Sequence, residues 1–415
     1  MKTTGIIAEY NPFHNGHRYQ IETLRNTYDP DYVIIAMSGD FLQRGTPALM
    51  DKYARAQMAL RQGADLVFEL PACFATASAE LFALGGVLLF QTTGLVTSLC
   101  FGTESQDFEG ISTLAQLLAQ EPDWYRKALT SYLRQGLSFP AARAIALPEY
   151  ESLLRSPNNI LAIEYCKALI SLNAGFTPIP VSRTGSGYHD TELISPYASA
   201  SAIRKVLHSW VSGETSVEFP SVLTSVLPRD SYCIMEKYLQ NLPFLWEDDF
   251  SLLLHHRLLL ENESSLLDCS DMTRSFANRI LSKRRDFLSW SSFCAALNSK
   301  DMTYARISRI LTHLLLHITD QQTAPYLNPS QRPSFLPYLR VLGFKKSSSG
   351  LLARLKETAK APVITSLSNA EELLAPDGLA MLQTDVFAAD LYRSVQISHT
   401  HKPCPNEYAR RLLTV

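Results

Sequence analysis

Two histidines lie three positions apart near the amino terminus, in the sequence His14-Asn15-Gly16-His17. An apolar run typical of a strand precedes them, and the spacing of an amphipathic helix follows. A helix amino terminus offers unpaired backbone N–H groups and a partial positive charge, both of which favour phosphate. Both imidazoles can donate hydrogen bonds to phosphate oxygens, and Gly16 leaves room for a base or ribose against the backbone. The stretch predicts a nucleotide triphosphate site.

A second candidate phosphate-binding segment comes later, at Ile194–Arg204. It is a serine-rich turn that opens a helix, in which Ser199 and Ser201 can cap the helix and contact phosphate. Arg204 would offset the negative charge of a departing pyrophosphate. A serine cap that stands alone is usually structural. Its position after the histidine motif favours a shared nucleotide site.

The elements that must position these residues alternate between strand and helix over the first half of the chain. Strands are predicted at Thr4–Ala8, Tyr32–Met37, Leu66–Leu70 and Ser98–Phe101, and helices at Gly16–Asn26, Tyr53–Gln62, Ala77–Thr92 and Ile203–Trp210. This alternation predicts an α/β fold with a Rossmann-like parallel sheet, in which ligands bind beyond the carboxyl ends of the strands. Four segments that follow predicted strands should therefore share one edge of the sheet: NPFHNGH, SGDFLQRG, LPACFATAS and GTES.

The chain is predicted to divide at residues 212–229, which are rich in serine, proline and small residues. We expect a nucleotide-binding domain over residues 1–211, a linker over 212–229 and a mainly helical domain over 230–415. Helical patterns dominate this last part, with one or two short strands such as Val363–Ile364.

The second half also carries an uneven charge. Fifteen basic residues stand against five acidic ones between Asp271 and Lys360, although the net charge of the whole chain is −2. Such a bias suits a polyanion such as RNA, and a solvated surface balanced by acidic residues elsewhere is the alternative. The candidates for contact with RNA are Lys283, Arg284, Arg285, Lys345 and Lys346.

Composition narrows the class of protein. Seven scattered cysteines without a Cys-x-x-Cys spacing argue against a disulfide framework and a zinc knuckle, and they predict reduced thiols in a cytoplasmic protein. The first residues do not resemble a secretory signal. The apolar run Leu81–Phe90 has about half the length of a membrane helix and is predicted to be buried core. Nothing in the sequence indicates a membrane or a protein partner.

The two motifs, in this order, resemble those of the nucleotidyltransferases related to class I aminoacyl-tRNA synthetases, whose H-x-G-H binds ATP. A closer resemblance, over most of the chain, is to the bacterial tRNA(Met) cytidine acetate ligase family. It rests on IAEYNPFHNGH, MSGDFLQRGTPAL, FGTES, SPNNILAIEY, SRTGSGYHD and ASAIR, with LRVLGF and TYARISRIL in the second half.

This resemblance implies an ATP-dependent ligase. Such an enzyme forms acetyl-adenylate from acetate and ATP, then acetylates the exocyclic amine of the wobble cytidine of elongator tRNA(Met). The implied ligands are ATP, acetate, that tRNA, and Mg²⁺ held by the ATP phosphates with no metal ligand from the protein.

The resemblance also implies site residues. His14, His17 and Arg204 would stabilise the transition state of adenylation. The implied ATP-binding residues are Ile7, Ala8, Glu9, Tyr10, Asn11, Pro12, Phe13, His14, Asn15, Gly16, His17, Arg18, Tyr19, Gln20, Gly102, one of Asn158 and Asn159, Arg183, Ser199 and Ser201. Either asparagine amide can bind a ribose hydroxyl or the base, and Asn159 can instead cap the helix that follows it.

Other polar residues have two interpretations. Arg44 and Lys52 are candidates for triphosphate or tRNA contacts, although Lys52 and Arg55 also fit the solvated face of a helix. Tyr188-His189-Asp190 includes a possible catalytic pair, but a histidine beside an aspartate in a loop more often orders that loop.

Two other functions share parts of this pattern. A small-molecule adenylyltransferase of coenzyme or lipid biosynthesis has both motifs, but its chain would end near the sheet domain. A non-catalytic nucleotide- or RNA-binding protein could keep the fold, but intact His14, Gly16, His17 and Arg204 argue against it.

Overall fold

The computed structural model describes residues 1–183, 196–213 and 219–415. The strands of these residues are β1 Thr3–Ala8, β2 Tyr32–Ser38, β3 Leu66–Leu70, β4 Ser98–Thr103, β5 Thr177–Ser182, β6 Leu339–Phe344, β7 Val363–Ile364 and β8 Leu413–Thr414. They form one sheet in the order β5-β4-β1-β2-β3-β6-β7, with β8 also paired to β6. Strands β1 to β5 run parallel, which confirms the predicted sheet, whereas β6 is antiparallel to β3.

The helices of the first half pack on this parallel sheet. They are α1 Asn15–Tyr28, α2 Lys52–Arg61, α3 Ala72–Ala75, α4 Ala79–Thr93, α5 Phe108–Gln120, α6 Asp123–Arg134, α7 Phe139–Ala146, α8 Glu151–Leu154, α9 Pro157–Ser171 and α10 Ala200–Val211, with a 3-10 turn at Pro148–Tyr150. The predicted helix Ala77–Thr92 begins two residues late because Ser78 caps α4. The apolar run within α4 is buried, as predicted. In the described part of the chain, no helix has both the length and the apolar character needed to cross a membrane.

The second half is mainly helical but also extends the sheet. Its helices are α11 Arg229–Leu239, α12 Ser251–Leu260, α13 Glu263–Leu267, α14 Arg274–Lys283, α15 Trp290–Leu297, α16 Tyr304–Leu316, α17 Asp320–Leu327, α18 Ser349–Thr358, α19 Ala370–Leu373 and α20 Pro376–Thr400. Its 3-10 turns are Ser221–Ser225, Glu247–Phe250, Arg284–Asp286 and Lys346–Ser348. Strands β6, β7 and β8 come from this half. The division at residues 212–229 stays a prediction, and the sheet crosses it.

Part of the predicted linker packs against the nucleotide motif. Leu223 and Val226 are fully buried, and the backbone N–H of Asn15 donates to the Val226 carbonyl (3.0 Å). The Asn15 side chain donates to the Ser225 carbonyl (3.0 Å). Residues 223–226 therefore support the start of α1, and the assignment of 212–229 as a linker stays a prediction.

The sheet is covered on both faces. Along β2, Val33, Ile35 and Met37 belong to one apolar core, while Ile34 and Ala36 belong to the other. Successive side chains of a strand point to opposite faces, so a strand buried on both sides has a continuous apolar sequence. This burial fixes the strand ends and the loops that follow them.

The loop between β2 and α2 is held by the second half of the chain. The Gly45 carbonyl accepts hydrogen bonds from the hydroxyls of Ser308 (2.5 Å) and Thr312 (2.8 Å) in α16. Gly45 has φ of 70°, and a Cβ there would lie 2.3 Å from the backbone nitrogen of Arg309. Only glycine fits at this position, because both the backbone conformation and the available space exclude a side chain.

The strand order reverses between β1 and β4. In parallel α/β sheets, ligands bind at such a point, beyond the carboxyl ends of the strands. The carboxyl ends of β1, β2, β3 and β4 lie at one edge of the sheet, so the four predicted segments share it. The histidine motif follows β1, and GTES spans the end of β4.

Candidate nucleotide-binding site

The turn between β1 and α1 rests on buried aromatic rings. Tyr10 has φ of 49°, which turns the chain sharply after β1. Tyr10 and Phe13 are both buried, with ring centroids 4.7 Å apart. The His17 ring packs against both, at 4.8 Å from Tyr10 and 5.5 Å from Phe13. These contacts hold the His17 ring in one orientation.

The two histidines cap α1 reciprocally. His14 Nδ1 accepts from the backbone N–H of Gly16 (3.0 Å), and His17 Nδ1 accepts from the backbone N–H of His14 (3.3 Å). This is a capping box built from imidazoles. Because a backbone N–H can only donate, both Nδ1 atoms are unprotonated. Each neutral ring therefore carries its proton on Nε2, the atom through which it can donate to a ligand.

The structure shows a role for Gly16 that was not predicted, and its predicted contact with a base or ribose stays a prediction. A Cβ at Gly16 would lie 2.9 Å from Cε1 of His14, so the His14 ring itself requires glycine at this position. The two imidazole rings are stacked with centroids 3.8 Å apart. The missing side chain makes room for this stack, in which both rings lie at the amino end of α1.

Both histidines are neutral at pH 7. Burial, and then the positive charges of Arg183 and Arg204, lower the pKa of His14 to about 3. Burial, followed by the effects of His14 and Arg183, lowers the pKa of His17 well below its ordinary value. The rings can therefore stabilise an anion by donating hydrogen bonds, while the positive charge of the site comes from the two arginines.

The serine-rich segment joins the histidine motif, as its order in the sequence predicts. The Ser199 side chain caps α10 by accepting from the backbone N–H of Ala202 (3.1 Å). One Arg204 nitrogen donates to the Asn11 carbonyl in the β1–α1 turn (2.9 Å), and the other donates to the Ser201 hydroxyl (3.2 Å). The predicted catalytic residues His14, His17 and Arg204 thus belong to one site.

The other side of the site follows β4 and β5. Arg183 continues β5, and its backbone N–H donates to the Thr103 carbonyl (2.8 Å). Its side chain passes over Gly102, where a Cβ would lie 3.5 Å from Cγ of Arg183. One guanidinium nitrogen donates to Oδ1 of Asn158 (2.8 Å). Gly102, Asn158 and Arg183 are therefore brought together.

The two asparagines at the start of α9 have separate roles. Asn159 is 2% exposed, and its Oδ1 accepts from the backbone N–H groups of Glu104 (2.9 Å) and Ser105 (3.1 Å). It shapes the loop after β4 and does not cap α9, whose cap residue is Ser156. Asn158 is half-buried beside Arg183, so it is the asparagine of this pair that faces the site.

Not every residue of Ile7–Gln20 presents its side chain to the site. Ile7 packs into the core against Gly86 of α4. Oδ1 of Asn11 accepts from the backbone N–H of Leu49 (2.8 Å). Arg18 forms a surface ion pair with Glu22 (2.6 Å). These three side chains have partners within the protein, and their contacts with ATP stay a prediction.

The predictions for Lys52 and Arg55 are wrong. Lys52 is 1% exposed, and its Nζ binds Glu69 (2.7 Å) and Glu407 (3.0 Å) inside the protein. Arg55 is fully buried and donates to the carbonyls of Glu9 (2.6 Å) and Met50 (3.0 Å). Neither side chain faces solvent or a ligand, and Arg55 supports the β1–α1 turn through the Glu9 carbonyl.

Tyr188, His189 and Asp190, which include the possible catalytic pair, lie outside the described residues.

The basic bias of the second half overstates its exposed positive charge. Arg340 is buried against Glu69 (3.3 Å) and Glu407. Arg284 donates to the carbonyls of Leu258 (2.9 Å) and Glu261 (2.5 Å), so it supports the local fold. Among the RNA candidates, Lys283, Arg285 and Lys346 are exposed, while Arg284 and Lys345 are half-buried. The charge count could not separate these two groups.

Among the residues that the structure describes, carboxylates that could hold a metal are not gathered at this site. Within residues 1–183, 196–213 and 219–415, no group of three or more histidine, cysteine, aspartate or glutamate side chains has the geometry of a metal site. The polar side chains brought together there include two neutral imidazoles, the Asn158 amide, two guanidiniums and two serine hydroxyls, and the Glu104 carboxylate accepts from Asn158. This donor set suits an anion.

Comparison with known proteins agrees with the fold. The model of the HIGH Nucleotidyl Transferase family matches residues 1–405 of the chain. This is the class that a parallel sheet with an H-x-G-H turn after its first strand defines.

More specific relatives match over nearly the whole length. The tRNA(Met) cytidine acetate ligase of Thermoanaerobacter sp. (strain X514) is 38% identical over 94% of this chain and 95% of the relative. The protein of that name from Acetivibrio thermocellus is 32% identical over both full lengths. The chain belongs to the tRNA(Met) cytidine acetate ligase family, which confirms the resemblance seen in its sequence motifs.

Solved structures of this family share the fold. The apo crystal structure of Thermotoga maritima TmcAL superposes with a TM-score of 0.91, at 29% identity and full coverage of both chains. TmcAL bound with alpha-thio ATP superposes with a TM-score of 0.88, at 29% identity, over 100% of this chain and 99% of that chain.

Glu104 is a site residue that the sequence analysis left without a role. It lies in the quoted FGTES segment, directly after β4 and at the same edge as the histidine motif. Its carboxylate accepts a hydrogen bond from the Asn158 side chain. The signal that could have identified it is its position immediately after a strand that ends at the ligand edge.

Proposed function

We propose that this chain is an ATP-dependent ligase that forms acetyl-adenylate and transfers the acetyl group to the exocyclic amine of the wobble cytidine of elongator tRNA(Met). The observation that carries the proposal is the convergence of His14, His17, Arg183 and Arg204 where the strand order reverses. Membership of the family supports it, as does the ATP analogue bound by the Thermotoga maritima protein. A reaction on tRNA implies a cytoplasmic location.

In the first step, an acetate oxygen attacks the α-phosphorus of ATP and pyrophosphate departs. Such transfers depend on positioning and on electrostatic stabilisation of the oxygens that gain charge. The Nε2–H groups of His14 and His17 donate to phosphate oxygens, and the amino end of α1 adds its partial positive charge. Arg204 offsets the charge of the departing pyrophosphate.

In the second step, the cytidine amine attacks the acetyl carbonyl carbon. A C–N bond forms, the bond between the carbonyl carbon and the phosphate oxygen breaks, and AMP leaves with the electron pair of that bond. The amine loses one proton. A base in a single-stranded anticodon loop is readily presented for this attack, because single-stranded RNA can unstack and splay out its bases.

The polar groups of the site also indicate how Mg²⁺ would bind. Apart from the Glu104 carboxylate, which accepts from the Asn158 amide, the described side chains of the site offer a hard cation few favourable ligands, so Mg²⁺ is proposed to bind the ATP phosphates. When bound there, it would neutralise part of the triphosphate charge. The protein residues bind and orient the phosphates.

The proposal can be tested by incubating unmodified elongator tRNA(Met) with the protein, Mg²⁺, ATP and isotopically labelled acetate, followed by mass spectrometry of the nucleosides. Labelled acetylcytidine is expected only when ATP is present. AMP and pyrophosphate formed with another small acid, without label in the tRNA, would instead support the small-molecule adenylyltransferase. The same reaction with a tRNA that lacks a wobble cytidine is the control.

The exposed basic residues lead to a prediction about tRNA. The double variant Lys283→Ala/Arg285→Ala should weaken tRNA binding and reduce the slope of log K against log salt by about 1 for each phosphate that is no longer neutralised. Binding should be measured between about 50 and 200 mM salt. The matched control is Arg274→Ala, an exposed arginine paired with Glu263 (3.3 Å). An unchanged slope in the double variant would place the RNA surface elsewhere.

A further inference from the structure

The loop after β4 is fixed to the start of α9. The Asn159 amide accepts from two successive backbone N–H groups, those of Glu104 and Ser105. A buried side-chain oxygen with two backbone donors leaves the loop little freedom. This arrangement places the carboxylate of Glu104 beside the side chain of Asn158.

Three side chains then form a hydrogen-bonded chain that ends at the nucleotide site. The Asn158 Nδ2 group donates to the Glu104 carboxylate, and the Asn158 Oδ1 atom accepts from Arg183 (2.8 Å). A carboxylate can only accept and a guanidinium can only donate. The Asn158 amide therefore has one satisfactory orientation between them, and Glu104 sets it.

Arg183 is held at both ends by this arrangement. Its backbone is bound to Thr103, and its side-chain stem lies against Gly102. The positive charge of the guanidinium contributes to the lowered pKa of both His14 and His17. An exposed arginine has many rotamers, and restricting them before a ligand arrives reduces the entropy lost on binding.

We propose that Glu104 is a positioning residue for nucleotide binding, which acts through the Asn158 amide to hold the Arg183 guanidinium towards the amino end of α1. The inference rests on the proposed function only in taking ATP as the ligand.

The test reverses the donor and the acceptor of the hydrogen bond between positions 104 and 158. Glu104→Ala removes the acceptor, and the Kd for α,β-methylene ATP should rise roughly 3- to 10-fold. Asn158→Asp keeps an acceptor for Arg183 but sets two carboxylates against each other, so its affinity should fall further. The double variant Glu104→Gln/Asn158→Asp restores a donor facing an acceptor. Its Kd should return to within about threefold of the wild-type value.

Binding is measured by calorimetry on the full chain, without acetate or tRNA. The matched control is Glu151→Ala, an exposed glutamate paired with Arg155 (2.6 Å), and the thermal midpoint of every variant is recorded. A merely structural role would lower the thermal midpoint without the reciprocal recovery of Kd. Unchanged Kd in Glu104→Ala and Asn158→Asp, or a double variant no better than Asn158→Asp alone, overturns the positioning role. A wild-type protein that does not bind the analogue overturns the proposed function as well.

Discussion

The double variant His14→Asn/His17→Gln should slow acetyl-adenylate formation by at least about 10²-fold while the start of α1 stays folded. Removing one preorganised hydrogen-bond donor at a developing oxyanion typically costs about 10²- to 10³-fold in kcat. Here two Nε2–H donors are removed. The rate is measured as acetate-dependent exchange between ATP and pyrophosphate.

The choice of replacements separates catalysis from helix capping. Asparagine at the first position can accept from Gly16 as His14 does, and glutamine three residues later can complete a capping box. The thermal midpoint should therefore stay close to that of the wild type. His14→Ala/His17→Ala removes both the donors and the cap, so it should lose stability as well as activity.

A matched histidine elsewhere tests whether the effect is specific. His401 is exposed and follows α20 with φ of 54°, a conformation that asparagine also accepts. His401→Asn should exchange pyrophosphate at the wild-type rate. An active His14→Asn/His17→Gln variant would mean that the first step does not need the imidazole Nε2–H donors.

Strands β1 to β4 of the parallel sheet were predictable because each has a local signature, whereas β5, which contains Pro178 and Pro180, was not predicted. Tyr32–Ser38 and Leu66–Leu70 are β-branched or apolar over most of their length, and each is followed by a loop that reaches the ligand edge. Parallel strands separated by helices place all of these loops at one edge, whatever the later packing. The proximity of the histidine motif to the serine-rich turn could be predicted from that rule and from the order of the two motifs in the sequence.

Strand β6 could not be predicted in the same way. LRVLGF was quoted only among the motifs of the family resemblance and was not predicted as a strand. It lies among helical patterns and far from the first five strands. Its antiparallel pairing with β3 joins Leu66 to Phe344, two residues separated by most of the chain. No local pattern in a sequence specifies such a partner, so the second half was predicted as a separate helical unit.

The predictions that failed or stayed undecided for individual side chains share one physical cause. Lys52 and Arg55 lie on a short helix, and charged residues on a helix are usually solvated. Their burial depends on partners that are distant in sequence, such as Glu407 for Lys52. Asn158 and Asn159 are adjacent in sequence, and only the path of the loop after β4 decides which of them faces the site.

Glu407→Gln should lower the free energy of unfolding by about 3–5 kcal/mol, the cost of leaving a buried charge without its partner. Glu407 binds Lys52 (3.0 Å), Arg340 and the Tyr53 hydroxyl (3.2 Å) in the protein interior. The second carboxylate, Glu69, also binds both cations. The substitution keeps the shape of the side chain but leaves Glu69 to offset most of two positive charges.

The pH dependence of this effect has a defined sign. Burial alone would raise the pKa of Glu407, but Lys52 and Arg340 outweigh burial and lower it to about 2 from an ordinary value of 4.5. A carboxylate with a lowered pKa in the folded state contributes stability above its ordinary pKa and loses it as the pH falls towards the folded value. The difference between wild type and Glu407→Gln in urea unfolding should therefore be full at about pH 6 and shrink at lower pH, down to about pH 2.

Tyr53→Phe is the matched control for this cluster, because it removes a hydrogen bond to Glu407 without changing any charge. Its cost should be about 1 kcal/mol and should not vary between about pH 6 and about pH 3. A Glu407→Gln variant as stable as Tyr53→Phe would show that the remaining carboxylates, Glu69 and Asp40, balance Lys52 and Arg340. Arg55 holds the β1–α1 turn through backbone carbonyls and does not depend on Glu407. The rate of pyrophosphate exchange per folded molecule should therefore stay at the wild-type value even where Glu407→Gln has lost most of its stability.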